Sequence, residues 1–172
     1  VQDPATGVVD VINQQDGLAN NHVRCILKDN WDTYWIGTSG GGVSKYFGQP
    51  FVHYTTQKGL PGNYIYSLHE SAKKELWMGV SDQGLVRKDS VGFSVYNADS
   101  GFVNEKVKAI AEDASGNLWL GTVGRGLYIY NRKTFRQIPR RGNVKGRFIK
   151  DLEWDGRSMW YASIDQGICE VF

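Results

Sequence analysis

The sequence predicts an all-β protein: a β-propeller of four repeats, in which each repeat is a four-stranded antiparallel blade. Four tryptophans recur at intervals of 42, 42 and 41 residues: Trp35, Trp77, Trp119 and Trp160. A second series keeps an interval of 42 throughout: Val23, Ile65, Val107 and Ile149. Each repeat also contains four short strand-like segments separated by turn residues. A period near 40 with four strands per unit is typical of a propeller with one blade per repeat.

The third repeat shows the predicted strands clearly. We expect them at residues 107–113, 118–122, 126–131 and 134–138, with turns at Ala-Ser-Gly-Asn and Val-Gly-Arg-Gly between the first three. Strands of this length with closely spaced turn signals indicate an all-β array. A β-sandwich also has short strands, but sandwich strands need not repeat in sequence, so the propeller is the preferred fold.

The glycines and tryptophans of the repeat are predicted to be structural. A phosphate-binding glycine loop leads from a strand into a helix. Here Gly40, Gly41 and Gly42 lead into another strand, and no Gly-Lys-Ser/Thr follows. We therefore expect these glycines to serve tight turns and close approach of neighbouring blades. The tryptophans are expected to fill the space between blades.

The repeats predict one domain over residues 1–172, with blades at about 17–58, 59–100, 101–142 and 143–172. The last blade ends at its third strand, while residues 9–12 align with the outer strands of the first two blades, before a glycine. We therefore expect residues 9–12 to form an N-terminal strand that closes the last blade, within one chain or between chains. Closure of this kind would leave no unpaired edge at the seam.

Composition excludes several classes of protein. The net charge of +2 over 172 residues gives no general attraction to nucleic acid or to a membrane surface. No segment approaches the roughly 20 apolar residues of a membrane-spanning helix. The register places Cys25 on a first strand and Cys169 on a third strand, so a disulfide between them is not expected.

Two long segments resemble the two-component regulator propeller repeat. They are GLPGNYIYSLHES with ELWMGVSDQGL in the second copy, and GFVNEKVKAIAEDASGNLWLGTVGRGLYIYN in the third. The repeat pattern runs Gly-Leu-Pro-x-Asn-x-Val, Ile-x-Glu-Asp-x-x-Gly, Leu-Trp-x-Gly-Thr, Gly-Gly-Leu and Tyr-Asn/Asp. The first three copies are close to it and the fourth is weaker.

The resemblance implies the periplasmic or other extracytoplasmic sensor region of a bacterial hybrid histidine kinase, often one that serves carbohydrate uptake. Members usually have seven blades per ring, with kinase domains further along the protein. Three arrangements stay open for four repeats: a closed four-bladed ring, a fragment of a larger ring, or half of an eight-bladed homodimer.

No catalytic or metal site is predicted. His22, His53 and His69 fall at different places in the repeat, which argues against a shared metal. The segment Asp29-Asn30-Trp31-Asp32 has alternating carboxylates but lacks the other ligands of a calcium loop, and its counterpart at Asp113 is a simple turn. We expect neither an enzyme nor a cofactor.

Ligand binding is expected where the loop before each first strand meets the turn between the second and third strands. The candidates are loop residues that differ between the copies of the repeat, or residues directly after the Val or Ile of the second series. They are His22, Arg24, Tyr64, Tyr66, Asp82, Gln83, Glu105, Lys108, Arg125, Lys145, Arg147 and Asp165. Among them, Arg24, Tyr66 and Lys108 share one repeat position with Lys150 and are predicted to line the channel. An oligosaccharide is the expected ligand, and nucleic acid is not.

Residues 131–150 carry eight basic side chains and no acidic one: Arg132, Lys133, Arg136, Arg140, Arg141, Lys145, Arg147 and Lys150. This run indicates either an anion-binding face or a solvated edge. The sequence thus favours a non-enzymatic, ligand-binding sensor; the alternative is a scaffold for protein–protein interaction or oligomerisation that binds no small molecule.

Overall fold

Four antiparallel sheets, one for each predicted repeat, make up the computed structural model, which describes residues 10–48, 50–102, 106–139 and 146–172. The first sheet contains β1 (Val23–Lys28), β2 (Tyr34–Thr38), β3 (Val43–Tyr46) and β4 (Val52–Tyr54). The second contains β5 (Ile65–Glu70), β6 (Leu76–Val80), β7 (Gly84–Lys88) and β8 (Phe93–Tyr96). The third contains β9 (Val107–Glu112), β10 (Leu118–Thr122), β11 (Leu127–Tyr130) and β12 (Phe135–Gln137). The fourth contains β13 (Ile149–Trp154), β14 (Met159–Ser163) and β15 (Gly167–Val171). The all-β prediction and the strand positions are confirmed.

The sheets are arranged as consecutive blades. Each sheet is a meander whose strands pair in chain order, and its first strand packs against the first strand of the next sheet: β1 on β5, β5 on β9, and β9 on β13. Three apolar clusters fill the three spaces between neighbouring blades. The first strands are therefore the inner strands of the array.

A Val or Ile at the start of β5, β9 and β13 anchors each of these blades to the one before it. Ile65, Val107 and Ile149 are each 0% exposed. A Cβ added at Gly121 of β10 would lie 2.5 Å from Ile149 Cγ2, and one added at Gly37 of β2 would lie 2.8 Å from Ile65 Cγ2. The anchor thus occupies the space that a side chain would need, which explains a glycine two residues after the repeated tryptophan.

A carboxylate in the segment before each second strand accepts the indole N–H of the repeated tryptophan: Asp29, Glu75, Asp113 and Asp155. Asp29 Oδ2 accepts a hydrogen bond from Trp35 Nε1 at 2.8 Å, and its Oδ1 accepts from backbone amides of the same turn. Asp113 makes the same contacts with Trp119, at 2.9 Å. The interpretation of these aspartates as turn formers is confirmed.

The fourth tryptophan departs from the prediction that all of them lie between blades. Trp160 is 37% exposed, although Asp155 accepts its indole N–H at 2.8 Å as in the other turns. Its ring lies on the face of the fourth sheet that looks away from the third, beside Ile168, which is 76% exposed. No further sheet among the described residues covers this face, so the ring is solvated.

The fourth sheet also differs in the residue that faces a following blade. Ala162 stands where the other three sheets have Gly37, Gly79 and Gly121. At the glycines an added Cβ would come within 2.8 Å of the next blade. A blade identical to the others cannot pack on Ala162 without a shift.

The predicted closing strand at residues 9–12 is not seen in the described chain. Val9 lies outside the described residues, and residues 10–12 have no strand pairing, so the fourth sheet has three strands there. The segment leads instead into a 3₁₀ helix, Gln14–Asp16, and Ala19 N then donates to Ser44 Oγ of β3. These contacts hold the beginning of the described chain on the first sheet rather than the fourth.

The same 3₁₀ turn follows the outer strands β4 and β8, at Thr56–Lys58 and Ala98–Ser100. The alignment of residues 9–12 with the outer strands is therefore supported, while the pairing is not. Cys25 lies on β1 and Cys169 on β15, as expected, and both thiols are free.

We expect Trp119→Ala to lower the free energy of unfolding by roughly 3–5 kcal/mol, because it empties a space between two blades. Trp119 is buried in the apolar cluster that includes Ile149 and Leu152. Urea unfolding followed by circular dichroism measures the change. The control is Trp31→Ala, since Trp31 is 65% exposed in a turn and its loss should cost less than about 1 kcal/mol. Equal losses for the two variants would contradict the assignment of Trp119 to the core.

Candidate functional site

One end of every sheet brings together the two loops that the sequence selected. In each blade the turn between the second and third strands donates a backbone hydrogen bond to the residue before the first strand. The four bonds are Ser39 N to His22 O at 2.9 Å, Ser81 N to Tyr64 O at 2.9 Å, Val123 N to Lys106 O at 3.1 Å and Ile164 N to Phe148 O at 3.1 Å. The predicted location of the site is therefore a single face of the array.

The glycine turns on this face join neighbouring blades. Gly40 N and Gly42 N both donate to Asn63 O, at 3.0 and 2.9 Å, and Gly124 N and Gly126 N both donate to Arg147 O, at 2.8 and 3.1 Å. These amides are already hydrogen-bonded to the next blade. They cannot also bind phosphate, in agreement with the structural role predicted for the glycines.

Several candidate residues lie on this face as exposed side chains. His22 and Tyr64 are exposed at the start of the first and second blades, and the ring of Tyr64 lies over Gly40. Asp82 and Gln83 form the turn between β6 and β7, where Asp82 Oδ2 accepts from Ser81 Oγ at 2.9 Å. Arg125 occupies the corresponding turn of the third blade.

Two further candidates, Arg147 and Asp165, meet in the fourth blade. Both carboxylate oxygens of Asp165 accept from Arg147 N at 3.1 Å, and Ser163 Oγ donates to Oδ1. The Ser163 hydroxyl and the backbone amides hold the pKa of Asp165 below its ordinary value. Asp165 therefore orders the loop before β13 instead of presenting a free carboxylate. Glu105 and Lys145 lie outside the described residues.

Candidate side chains from the first and third blades converge on the ring of a candidate from the second blade, Tyr66. Lys108 Nζ lies 3.6 Å from the centroid of the Tyr66 ring, and Arg24 Cζ lies 5.0 Å from it. Lys106 Nζ is 5.9 Å away. We call Arg24, Tyr66, Lys106, Lys108 and the nearby Lys150 the Tyr66 cluster. Arg24 Nε donates to Ser39 Oγ, which steadies the guanidinium.

The charge of the Tyr66 cluster is not neutralised within the described chain. The ion pairs within the described chain involve basic groups outside this cluster, namely Lys28, His69, Lys74, Arg87 and Arg132. Partial burial, followed by the positive charges of Arg24, Lys150 and Lys106, together lower the pKa of Lys108 to about 8. The cluster is thus a region of concentrated, like-signed charge.

A β-bulge explains why these side chains share one position. In all four blades the register between first and second strands skips one residue, between Val23 and Cys25 and at the equivalent places. The skipped residues are Arg24, Tyr66, Lys108 and Lys150. A bulge re-aims the side chain of its extra residue. Alignment of the four internal repeats identified this position, but it did not reveal the bulge that directs the side chains.

The basic run of residues 131–150 does not form one surface. Arg132 donates to Glu75 Oε2 at 2.8 Å and to Glu112 Oε1 at 2.6 Å, so it joins the second and third blades. It follows β11, whereas Arg147 contacts the turn that precedes β11. The two arginines lie at opposite ends of this strand. Arg140 and Arg141 lie outside the described residues.

The described chain contains no candidate metal centre. Across residues 10–48, 50–102, 106–139 and 146–172, no group of three or more His, Cys, Asp or Glu side chains could hold a metal ion. Each helix in these ranges is three residues long, and none could cross a membrane. The candidate site is a set of loops and of side chains on the inner strands.

Comparison with known families confirms the predicted resemblance. The family described as two component regulator propeller matches residues 17–40 and 101–124, which lie in the first and third repeats. No curated protein matches the chain.

Solved structures show the same fold. The extracellular domain of the hybrid two-component system BT3049 from B. thetaiotaomicron is 26% identical, with a TM-score of 0.83, over 97% of this chain and 24% of that one. PorZ of Porphyromonas gingivalis, a surface component of the type-IX secretion system, is 15% identical with a TM-score of 0.69, over 96% and 28% of the two chains. Virginiamycin B lyase from Staphylococcus aureus is 15% identical with a TM-score of 0.64, over 87% and 55%. The chain thus spans about a quarter of the BT3049 domain.

We expect Lys108→Gln to change the pH dependence of stability. The folded state lowers the pKa of Lys108 below its ordinary 10.5, so it disfavours the charged form. The resulting destabilisation is present at pH 7 and is relieved as pH rises above about 8. The melting temperature of the variant relative to the wild type should therefore be highest at pH 7 and fall by pH 9.

The control for this prediction is Lys133→Gln, which removes an exposed lysine from the turn after β11. Its melting temperature relative to the wild type should be the same at both pH values. Thermal unfolding at constant ionic strength measures both differences. A Lys108→Gln difference that does not vary with pH would show that Lys108 has an ordinary pKa.

Proposed function

We propose that this chain, which carries the two-component regulator propeller repeat, is part of the extracytoplasmic sensor region of a bacterial two-component system. In this role it binds a ligand without transforming it. The observation that carries the proposal is the match to the BT3049 extracellular domain, because it extends over 97% of this chain at a TM-score of 0.83. Periplasmic exposure and linkage to kinase domains belong to the same proposal.

The face that gathers the loops supports ligand binding. Side chains that differ from blade to blade lie there on a backbone frame that is the same in each blade. His22, Tyr64 and Gln83 are examples, and none of them contributes to the apolar clusters between blades. An oligosaccharide is the proposed ligand class, since polar side chains beside exposed aromatic rings suit a sugar surface.

An enzymatic role has less support. The lyase shares the fold at 15% identity, and a fold by itself does not carry an activity. Asp165, which the sequence placed on the candidate face, is engaged by backbone amides. An enzyme of this fold would need a positioned base, a nucleophile or a metal cluster.

The test is calorimetric titration of the chain with a panel of oligosaccharides, followed by mass spectrometry of the recovered ligand. We expect saturable binding by at least one member of the panel, with the ligand unchanged after prolonged incubation. Cleavage of the ligand would show that the chain is an enzyme and would contradict the proposed sensor function. A chain that binds no member would contradict carbohydrate sensing.

A second candidate function, an oligomerisation scaffold, is favoured by the two end sheets. Val23 is 48% exposed although the three other anchors are 0% exposed, and Ile168 is 76% exposed on the far face of the fourth sheet. We propose a second copy of the chain as the occupant. Its N-terminal segment, aligned with outer strands, would supply the fourth strand beside β15.

This second candidate predicts that Ile168→Asp prevents self-association. A charge at this position cannot be buried against an apolar partner without a large desolvation cost. Analytical ultracentrifugation over a range of concentrations measures the association, with Val91→Asp as control, because Val91 is 95% exposed in the turn between β7 and β8. A wild-type chain that is monomeric at every concentration would exclude this role.

A further inference from the structure

The bulge residues form a continuous row along the inner strands. Each first strand packs against the next, so the extra residues of four consecutive blades follow one another at the same level. Their identities are Arg24, Tyr66, Lys108 and Lys150. Three of the four are cationic, and the fourth is the aromatic ring on which two of these cations converge.

The cations in this row are held near each other without a carboxylate among the described residues to pair with them. Lys108 is half-buried, with its ammonium group against Tyr66 and with Arg24, Lys106 and Lys150 as its charged neighbours. A cation on an aromatic ring is stabilised, but it keeps its full charge. The arrangement therefore concentrates positive potential at one point on the inner strands.

We propose that the Tyr66 cluster is a binding site for the carboxylate or sulfate group of an anionic saccharide. This inference rests on the proposed sensor function and adds the charge class of its ligand. The anion would lie between Arg24 and Lys108, which come from the first and third blades, with Tyr66 of the second blade between them. It would offset the repulsion that the empty cluster carries and would connect three blades through one ligand.

The site differs from the basic run of residues 131–150. Arg132 of that run is bound by two carboxylates, so its charge is already compensated. Lys150 is the member that both sets share. A ligand recognised by the Tyr66 cluster should therefore be insensitive to substitutions at the far end of β11, such as Lys133→Gln.

The experiment is titration calorimetry of the chain with trigalacturonate, inorganic sulfate and neutral galactotriose, at constant ionic strength in chloride. We expect trigalacturonate, and more weakly sulfate, to bind. Lys108→Gln and Arg24→Gln should each weaken this binding at least tenfold. Lys133→Gln should leave it within twofold of the wild type. Circular dichroism establishes that all three variants are folded.

A pH series supplies a second measurement. The groups that face Lys108 are Arg24 and Cys25 on β1, Tyr66 on β5, Lys106 before β9, and Lys150 on β13. An anion that requires charged Lys108 should bind about tenfold more weakly at pH 9 than at pH 7, because the ammonium deprotonates near pH 8. Lys108→Gln should remove this dependence.

The outcomes distinguish a failure of the anion site from a failure of the proposed sensor function. Binding of galactotriose that equals that of trigalacturonate, with no effect of Lys108→Gln, would overturn the anion site and leave the sensor function in place. Binding of sulfate alone would identify a site for free oxyanions rather than for saccharides. If neither anion binds, or if all variants bind equally, the Tyr66 cluster is not an anion site.

Discussion

The packing of a Val or Ile anchor onto a strand glycine is the contact on which the array depends. It fixes how closely two blades approach, because the anchor fills the space that a side chain at a glycine such as Gly121 would need. Protein interiors are close-packed and do not deform continuously. Each blade is therefore placed on its neighbour in one way, and the bulge that follows the anchor comes to the same level in every blade.

This placement explains how the Tyr66 cluster forms at all. Arg24, Tyr66 and Lys108 are 42 residues apart in sequence, yet the repeated contact brings their side chains within a few ångströms. The packing energy of the apolar clusters offsets the repulsion among the cations. Locally unfavourable arrangements that a well-packed frame supports are common at functional sites.

The sequence was sufficient to predict the blades and their strands, but it was insufficient to predict some of the contacts within and between them. The repeat located the strands to within a residue or two, since anchors, tryptophans and turn residues each have a local signature. The bulge escaped prediction because it is a property of the register between two strands. Arg132 appeared to be part of a solvated basic run because its partner Glu75 lies 57 residues away.

At the ends of the chain, the prediction that Trp160 is buried was wrong, and the pairing of residues 9–12 with the fourth sheet is not confirmed within the described residues. Trp160 and residues 9–12 follow the repeat pattern, so the sequence assigned them the contacts of their equivalents. A side chain is buried, or a strand is paired, only where a neighbouring sheet or strand is present, whatever the sequence repeat indicates. No sheet among the described residues covers the fourth blade, so Trp160 is 37% exposed, while Ala19, which follows the N-terminal segment, contacts Ser44 of the first sheet.

The bulge provides each blade with one position at which the residue can vary independently of the other blades. Its extra residue is skipped by the ladder between first and second strands, while the anchor before it and the glycine across from it hold the blades together. Exchanging Arg, Tyr or Lys at such a position alters the inner surface of the array without removing the contact between anchor and glycine. Each blade therefore contributes one inner-surface side chain that can change independently, and the order of the blades along the chain sets the order of these side chains.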